Sequence, residues 1–445
     1  MVRTLAIKGS KKLRNAWAVY DWATSVYNLT ISSAVFPIYY GALFRMADVE
    51  TVEVFGTQIE RAPLIGYVSS ISFIFIALII PLVSGVADYL GNKRVFLKFF
   101  TYLGALGCIG LYWFSLESIY WSLVSYMAGL IGSWVSFAIY NSYLPVVAFP
   151  EQQDKLSAKG FSFGYVGSVL LLCLNLWMVM APDTFGFVDS EGVPAAVKAM
   201  KVSFVTVGVW WMLFSQITFA YLPKGHKKSG KRSNIILNGF LELKKVWQQL
   251  QTQIRLTRFL KAFFVYSLAV QTIMLIAAYF GEQLIDWGSD ENRQVGLIAS
   301  ILIIQLVAII GAYIMAWASE KYGNIKTLVV VNFLWMFLCI YAYFMVTPID
   351  FYIGASLVGL VMGGIQALSR STYSKFLPET TDTTSFFSFY DVSEKIGIII
   401  GLVIFSYLSE KAEGMRTAAL AFAIFFLVGA FLLTRVNKKI PTQEE

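Results

Sequence analysis

The sequence predicts an all-α membrane protein with about twelve transmembrane helices in two six-helix bundles. Three observations carry this. The 445 residues are 57% apolar with only 14% charged, too apolar for a soluble domain. Apolar runs near the length needed to cross about 30 Å of hydrocarbon recur along the chain. Finally, a loop pattern in the first half returns in the second at a constant offset, as duplicated membrane bundles do.

The runs begin near Ala16, Leu64, Val95, Ile119, Ala158, Val202, Phe259, Val295, Thr327, Phe351, Phe386 and Ala418. An even number of crossings puts both termini on one side, and the segments on that side hold most of the Lys and Arg. Both termini are therefore expected to be cytoplasmic, in a cell (inner) membrane. The +8 net charge reads as basic cytoplasmic loops rather than nucleic-acid binding. Cys108, Cys173 and Cys339 lie in apolar runs and offer neither a disulfide framework nor metal spacing. The lone histidine, His226, sits in a basic loop, which excludes a histidine proton relay through the bilayer. The basic start leads straight into an apolar span, so no cleavable signal peptide is expected.

Three segments are expected: residues 1–223 as an N-terminal bundle, 224–256 as a cytoplasmic linker, and 257–445 as a C-terminal bundle. The linker opens with the basic stretch LPKGHKKSGKRS. It continues with Ile236, Phe240, Leu243, Trp247 and Leu250 at steps of three and four, which predicts an amphipathic helix with Lys244 and Lys245 toward headgroups.

After span two comes SGVADYLGNKR (Ser84–Arg94), in which Gly91 can take the left-handed turn that closes a helix. Asp88, Gly91, Asn92 and Arg94 match Glu320, Gly323, Asn324 and Lys326. The duplication reappears as Tyr143-Leu144-Pro145 against Phe376-Leu377-Pro378, and as FSFGYVGS (Phe161–Ser168) against FSFYDVSE (Phe387–Glu394).

The acid, the three-residue step to Gly and the basic cluster of Asp88, Gly91, Lys93 and Arg94, echoed by Glu320, Gly323 and Lys326, resemble the signature loop of the major facilitator superfamily. Ser84 and Tyr89 stand where the family usually has Gly and a base. The resemblance implies that this loop steadies one alternating-access state, with the acid at a helix N-terminus. Three longer blocks narrow it: Trp17–Tyr40, Gly363–Glu379 and Phe386–Lys395 look like the autophagy-related vacuolar amino-acid exporters and their bacterial relatives. That resemblance implies a small-molecule transporter.

Polar residues on one face of a membrane helix mark a face turned to protein or water. Span one carries Asp21, Ser25, Asn28 and Ser32; span four Gly129, Ser133, Ser136, Tyr140 and Tyr143; span seven Ser267 and Gln271; span ten Gly359, Gly363, Gln366, Arg370 and Tyr373. In the resembled fold these four helices line the central cavity. Gly129, Gly359 and Gly363 also suit close helix packing. Ions near the bilayer centre need partners, and Asp391 and Lys395 are spaced to pair along one face, which leaves Arg370 for Glu394. Asp21 is either an interfacial carboxylate or a buried, titrating one.

The sequence thus reads as a secondary transporter of a small polar or zwitterionic solute, with proton coupling favoured over sodium. Substrate contacts are expected from Asp21, Asn28, Tyr140, Gln271, Gln366, Arg370 and Tyr373, and a charge network from Asp21, Asp391, Glu394 and Lys395. Gly-rich nucleotide loops, metal clusters and spaced nucleophiles are absent from the sequence, so neither an enzyme nor a cofactor is expected. The expected partners are the lipid bilayer, the solute and protons, without nucleic acid, and the chain is expected to act as a monomer. Export of amphipathic compounds or lipids is the rival within the class, and a non-transporting sensor or scaffold the rival outside it.

Overall fold

A computed structural model describes residues 7–190, 192–225, 235–411 and 414–437. His226, most of the basic linker and Lys438 lie outside them. Two compact units emerge, one of residues 1–143 with 163–240, the other of 144–162 with 241–445.

The first span is built as α1 (Lys11–Val26), a π-helical segment (Tyr27–Val35) and α2 (Phe36–Ala47). Pro37 lacks an N–H and in an α-helix would press its ring on the Ser33 carbonyl, and the wider turn upstream relieves this. A hairpin follows, β1 (Thr51–Val54) paired antiparallel with β2 (Thr57–Glu60). It adds a two-stranded element to the expected helices. Its Val54 packs with Leu64, Val68, Ile119 and Leu123, so the hairpin is fixed to the bundle by apolar contact.

Then come α3 (Arg61–Leu90), α4 (Lys93–Gly110), α5 (Ile119–Asn141), the short α6 (Leu144–Val147), α7 (Pro150–Met180) and α8 (Ala195–Tyr221). After α9 (Ile235–Thr252) the second set runs α10 (Ile254–Leu284), α11 (Asp290–Tyr322), α12 (Asn324–Phe344), α13 (Pro348–Phe376), α14 (Thr383–Lys411), α15 (Met415–Ala421) and α16 (Ala423–Val436). Among the described residues, 11 helices are long and apolar enough to cross a bilayer. The first span escapes that measure because its α-helical pieces are only 16 and 12 residues long. α7 and α8 start well before the apolar runs that predict them, because charged residues stand in their first two turns.

Internal packing repeats between the units. In the first, α3 lies on α5, α4 on α5 and α8, and α1 on α8; in the second, α11 lies on α13, α12 on α13 and α16, and α10 on α16. Small residues permit these approaches. A Cβ on Gly132 would meet Gly104 Cα at 2.3 Å, and one on Gly363 would meet the Ala308 carbonyl oxygen at 2.2 Å. Gly359 likewise faces the Ile304 carbonyl, whereas Gly129 faces the Tyr27 ring. α7 gives its N-terminal end, through Ser162, to the second unit and the rest to the first.

The linker helix departs from its expected face. Its buried side is Gly239, Leu243, Val246 and Leu250, while Phe240 and Trp247 are exposed. Ile236 is described only as helical backbone. Gly239 packs on Val86, and Trp247, although exposed overall, keeps a ring contact with Phe389 at 5.4 Å.

Candidate functional site

In the first unit Asp21 is fully buried, so it is not an interfacial carboxylate. The Tyr140 hydroxyl donates to its Oδ2 at 2.6 Å. Trp17 stacks on Tyr140 at 4.5 Å and donates its indole N–H to the Tyr140 carbonyl, while Tyr20 bonds Thr101 at 2.7 Å. A carboxylate in this aromatic setting is stabilised by its hydroxyl donor, because bulk water cannot solvate it. The expected stripe on span one does not hold as one face. Asp21 points into protein, whereas Asn28 and Ser32 are exposed in the π-helical segment. Wider turns advance the chain by less than 100° per residue and so rotate the later residues off the α-helical stripe.

The loop after α3 does more than set topology. Gly91 closes the helix in the left-handed region, φ 61°. Lys93 donates to the Ser142 carbonyl at 3.1 Å at the end of α5 and lies 4.3 Å over the Tyr143 ring. Arg94 donates to the carbonyls of Phe219 and Leu222 at the end of α8, at 3.1 and 3.0 Å. Both bases thus satisfy C-terminal carbonyls, where the helix dipole favours positive charge. Asp88 is buried beside them. In the second copy Gly323 takes φ 87° with extended ψ, and Lys326 is exposed.

The second unit holds the polar cluster of α10, α13 and α14. Gln271 donates to Glu394 Oε1 at 2.7 Å, and the neighbouring Lys395 pairs with Glu394 Oε2. The expected pairing of Arg370 with Glu394 is therefore corrected: Glu394 takes Lys395. Arg370 instead donates to the Ser157 hydroxyl and carbonyl at 2.9 and 3.0 Å and stacks 4.1 Å over Phe161. Arg370 is 1% exposed, Asp391 2% and Tyr373 0%, whereas the Glu394 side chain keeps 15% exposure. Tyr373 donates to the Phe386 carbonyl and packs on Tyr390. Gln366 is half-buried, with its amide near the Met274 sulfur.

One network was not anticipated. Asp154, near the start of α7, is bound by Lys375, by Asn324 at 2.8 Å and by Ser319 at 3.1 Å; Lys375 also donates to Asn324 Oδ1. Next to it Lys155 pairs with Glu320 at 2.8 Å. Asp154, Ser157 and Phe161 follow steps of three and four on one face of α7, which is the readable signal. It is hidden because the polar run before the fifth apolar span reads as loop.

A model of vacuole effluxer Atg22-like proteins matches residues 9–444. The chain belongs to that family. Uncharacterized MFS-type transporter YxiO of Bacillus subtilis (strain 168) is 29% identical over 439 residues, covering 98% of this chain and 97% of that one. Autophagy-related protein 22 of Kluyveromyces lactis is 24% identical over 402 residues, covering 81% and 77%. Among solved structures, the E. coli fucose:proton symporter FucP superposes with TM-score 0.70 at 16% identity, covering 96% of this chain and 98% of that one. The proton:xylose symporter XylE does so with TM-score 0.70 at 12% identity, covering 95% of each. The fold is the major facilitator fold, and this Atg22-like chain is a multi-pass membrane transporter rather than an enzyme.

Proposed function

We propose that this Atg22-like protein moves a small polar or zwitterionic solute of the amino-acid class by alternating access, coupled to protons, with both termini cytoplasmic in the cell membrane. The observation that carries the reading is the Gln271–Glu394–Lys395 cluster. It places an acid, a base and an amide together within membrane-spanning helices, with the carboxylate still partly accessible. Such a carboxylate can exchange its Lys395 contact for a substrate ammonium, which offers comparable charge-assisted donors. Gln366, half-buried on α13 of the same unit, supplies a hydrogen bond, while Asp21 with Tyr140 forms a buried acid in the first unit. Arg370 and Tyr373 act by holding helices in register.

Purified protein in proteoliposomes, screened for flux of labelled amino acids with and without a pH gradient, tests this. Gradient-dependent flux of at least one amino acid is expected. Ligand-induced thermal stabilisation by sugars or nucleosides alone, without amino-acid flux, refutes the substrate class. Cysteine labelling at Asn92 and Asn324 checks topology, and labelling from outside the cell overturns it.

A further inference from the structure

Along α16, Ile424, Leu427, Val428 and Phe431 share one face and are between 41% and 63% exposed, so this side of a membrane helix meets lipid. In the last turn Arg435 continues the stripe, and its guanidinium folds back over the Phe431 ring at 4.7 Å. From Ile424 to Arg435 the helix rises about 16 Å, close to the hydrocarbon depth of one leaflet. α10 lies alongside, held close where Gly429 leaves room for the Tyr266 side chain. Near the start of α10, Arg258 donates to the Arg435 carbonyl at 3.1 Å, which brings a second guanidinium to the end of the stripe. Lys261, one turn further along α10 and exposed, adds a third cation. Among the described residues, no carboxylate lies within ion-pair distance of Lys261 or Arg435.

We infer that this seam binds one anionic glycerophospholipid, with its phosphate held by Arg258, Lys261 and Arg435 and an acyl chain laid along the α16 stripe. Each part of the ligand has a cause. Guanidinium groups present forked N–H donors that match phosphate oxygens. Three cations at one point favour a headgroup of net negative charge over a zwitterionic one, whose own ammonium they repel. A free phosphate would meet the cations but leave the apolar stripe unused, whereas a lipid tail covers it over the depth of one leaflet. The seam lies on the outside of the second unit, so the inference is independent of which solute the protein moves.

Native mass spectrometry of the full chain, released from micelles titrated with dioleoylphosphatidylglycerol, reads the site. One phosphatidylglycerol per chain should bind at least about fivefold more tightly than dioleoylphosphatidylcholine does. Lys261→Gln with Arg435→Gln should weaken that binding about tenfold. Lys321→Gln with Lys326→Gln removes the same charge from exposed positions where α11 ends and α12 begins, and should change it by less than about twofold. Inorganic phosphate in about tenfold excess should not displace the lipid, because it gains nothing from the stripe. Displacement by phosphate would assign a free anion to the cations and overturn the proposal. Equal binding of the two lipids, or equal losses in the two double variants, would overturn it as well. If Lys261→Gln with Arg435→Gln fails to fold, the two lipids and phosphate compared in the unaltered protein decide the matter.

Discussion

Removing Lys375 exposes what holds the end of α7 in place. The Asp154 side chain is 3% exposed and that of Lys375 21%, so the pair is mostly shielded from water. Breaking a buried pair by removing one partner typically costs about 3 to 5 kcal/mol, because the remaining charge is stranded. Two remaining donors lower the figure here. Asn324 and Ser319 still donate to Asp154 when the ammonium is gone. Hydrogen bonds to a charged group are each worth about 1.5 to 3 kcal/mol, so Lys375→Met should cost only about 2 to 3 kcal/mol. Asp154→Asn should cost less, about 1 to 2 kcal/mol, since Lys375 keeps Asn324 Oδ1 and some access to water. In the double variant no charge is stranded, and its loss should fall short of the sum by at least about 1 kcal/mol. Equilibrium unfolding in mixed micelles reads all three. Additivity within about 0.5 kcal/mol would refute the pairing, as would a Lys375→Met protein as stable as the parent.

Other expectations follow from single contacts. Glu394→Gln combined with Lys395→Met should leave the melting temperature within a few degrees of the parent but reduce gradient-driven flux at least about tenfold, the usual scale for losing one charge-assisted contact; unchanged flux would remove Glu394 from the mechanism. Gly132→Ala should destabilise by about 1 to 3 kcal/mol through overpacking, whereas Gly66→Ala, with nothing within 4 Å of the new methyl, should be neutral or slightly stabilising; equal melting curves would disprove the close approach of α4 and α5. Arg94→Met should cost about 1 to 2 kcal/mol for two uncapped carbonyls at the end of α8, and Lys326→Met should stay within about 0.5 kcal/mol. Reversal of that order in thermal melts would show that exposure misjudges the two loops.

The fold was legible because the bilayer requirement is written in long apolar runs and the duplication in matched loops. The first span's interruption was less so. Pro37 signals a local defect, but whether a helix answers it with a kink or a wider turn depends on neighbours such as Tyr27 against Gly129. The charge pairs were hidden for a sharper reason. Adjacent residues on a helix do not face each other, so spacing gives no signal for Glu394 with Lys395. Lys395 nevertheless reaches Glu394, because a four-carbon stem can lie along the helix and return its ammonium to a neighbour. The role of Arg370 was out of reach altogether, since its partners Ser157 and Phe161 lie more than 200 positions away in the chain.

The two loop copies show how duplication divides labour. Packing between helices is conserved in both units, because close approach of backbones leaves few alternatives to small residues. Loop chemistry is under no such constraint. In the first unit Lys93 and Arg94 turn inward to cap α5 and α8, which makes the loop a fastener of its own bundle. In the second, Ile325 and Lys326 occupy the matching places, so neither cap can form in the same way. Asn324 and Glu320 are thereby available to another task and hold Asp154 and Lys155 at the start of α7. The first turns of α7 are fastened within the second unit by these hydrogen bonds and ion pairs and by an apolar contact of Ala158 with Ala312, Ala316 and Ala367. Polar contacts of this kind can be exchanged for water when a helix end is released, whereas buried apolar area cannot be given up without its full cost. The divergence of the second loop thus supplies part of the polar attachment of α7, and the Asp154 to Lys375 cycle measures its strength.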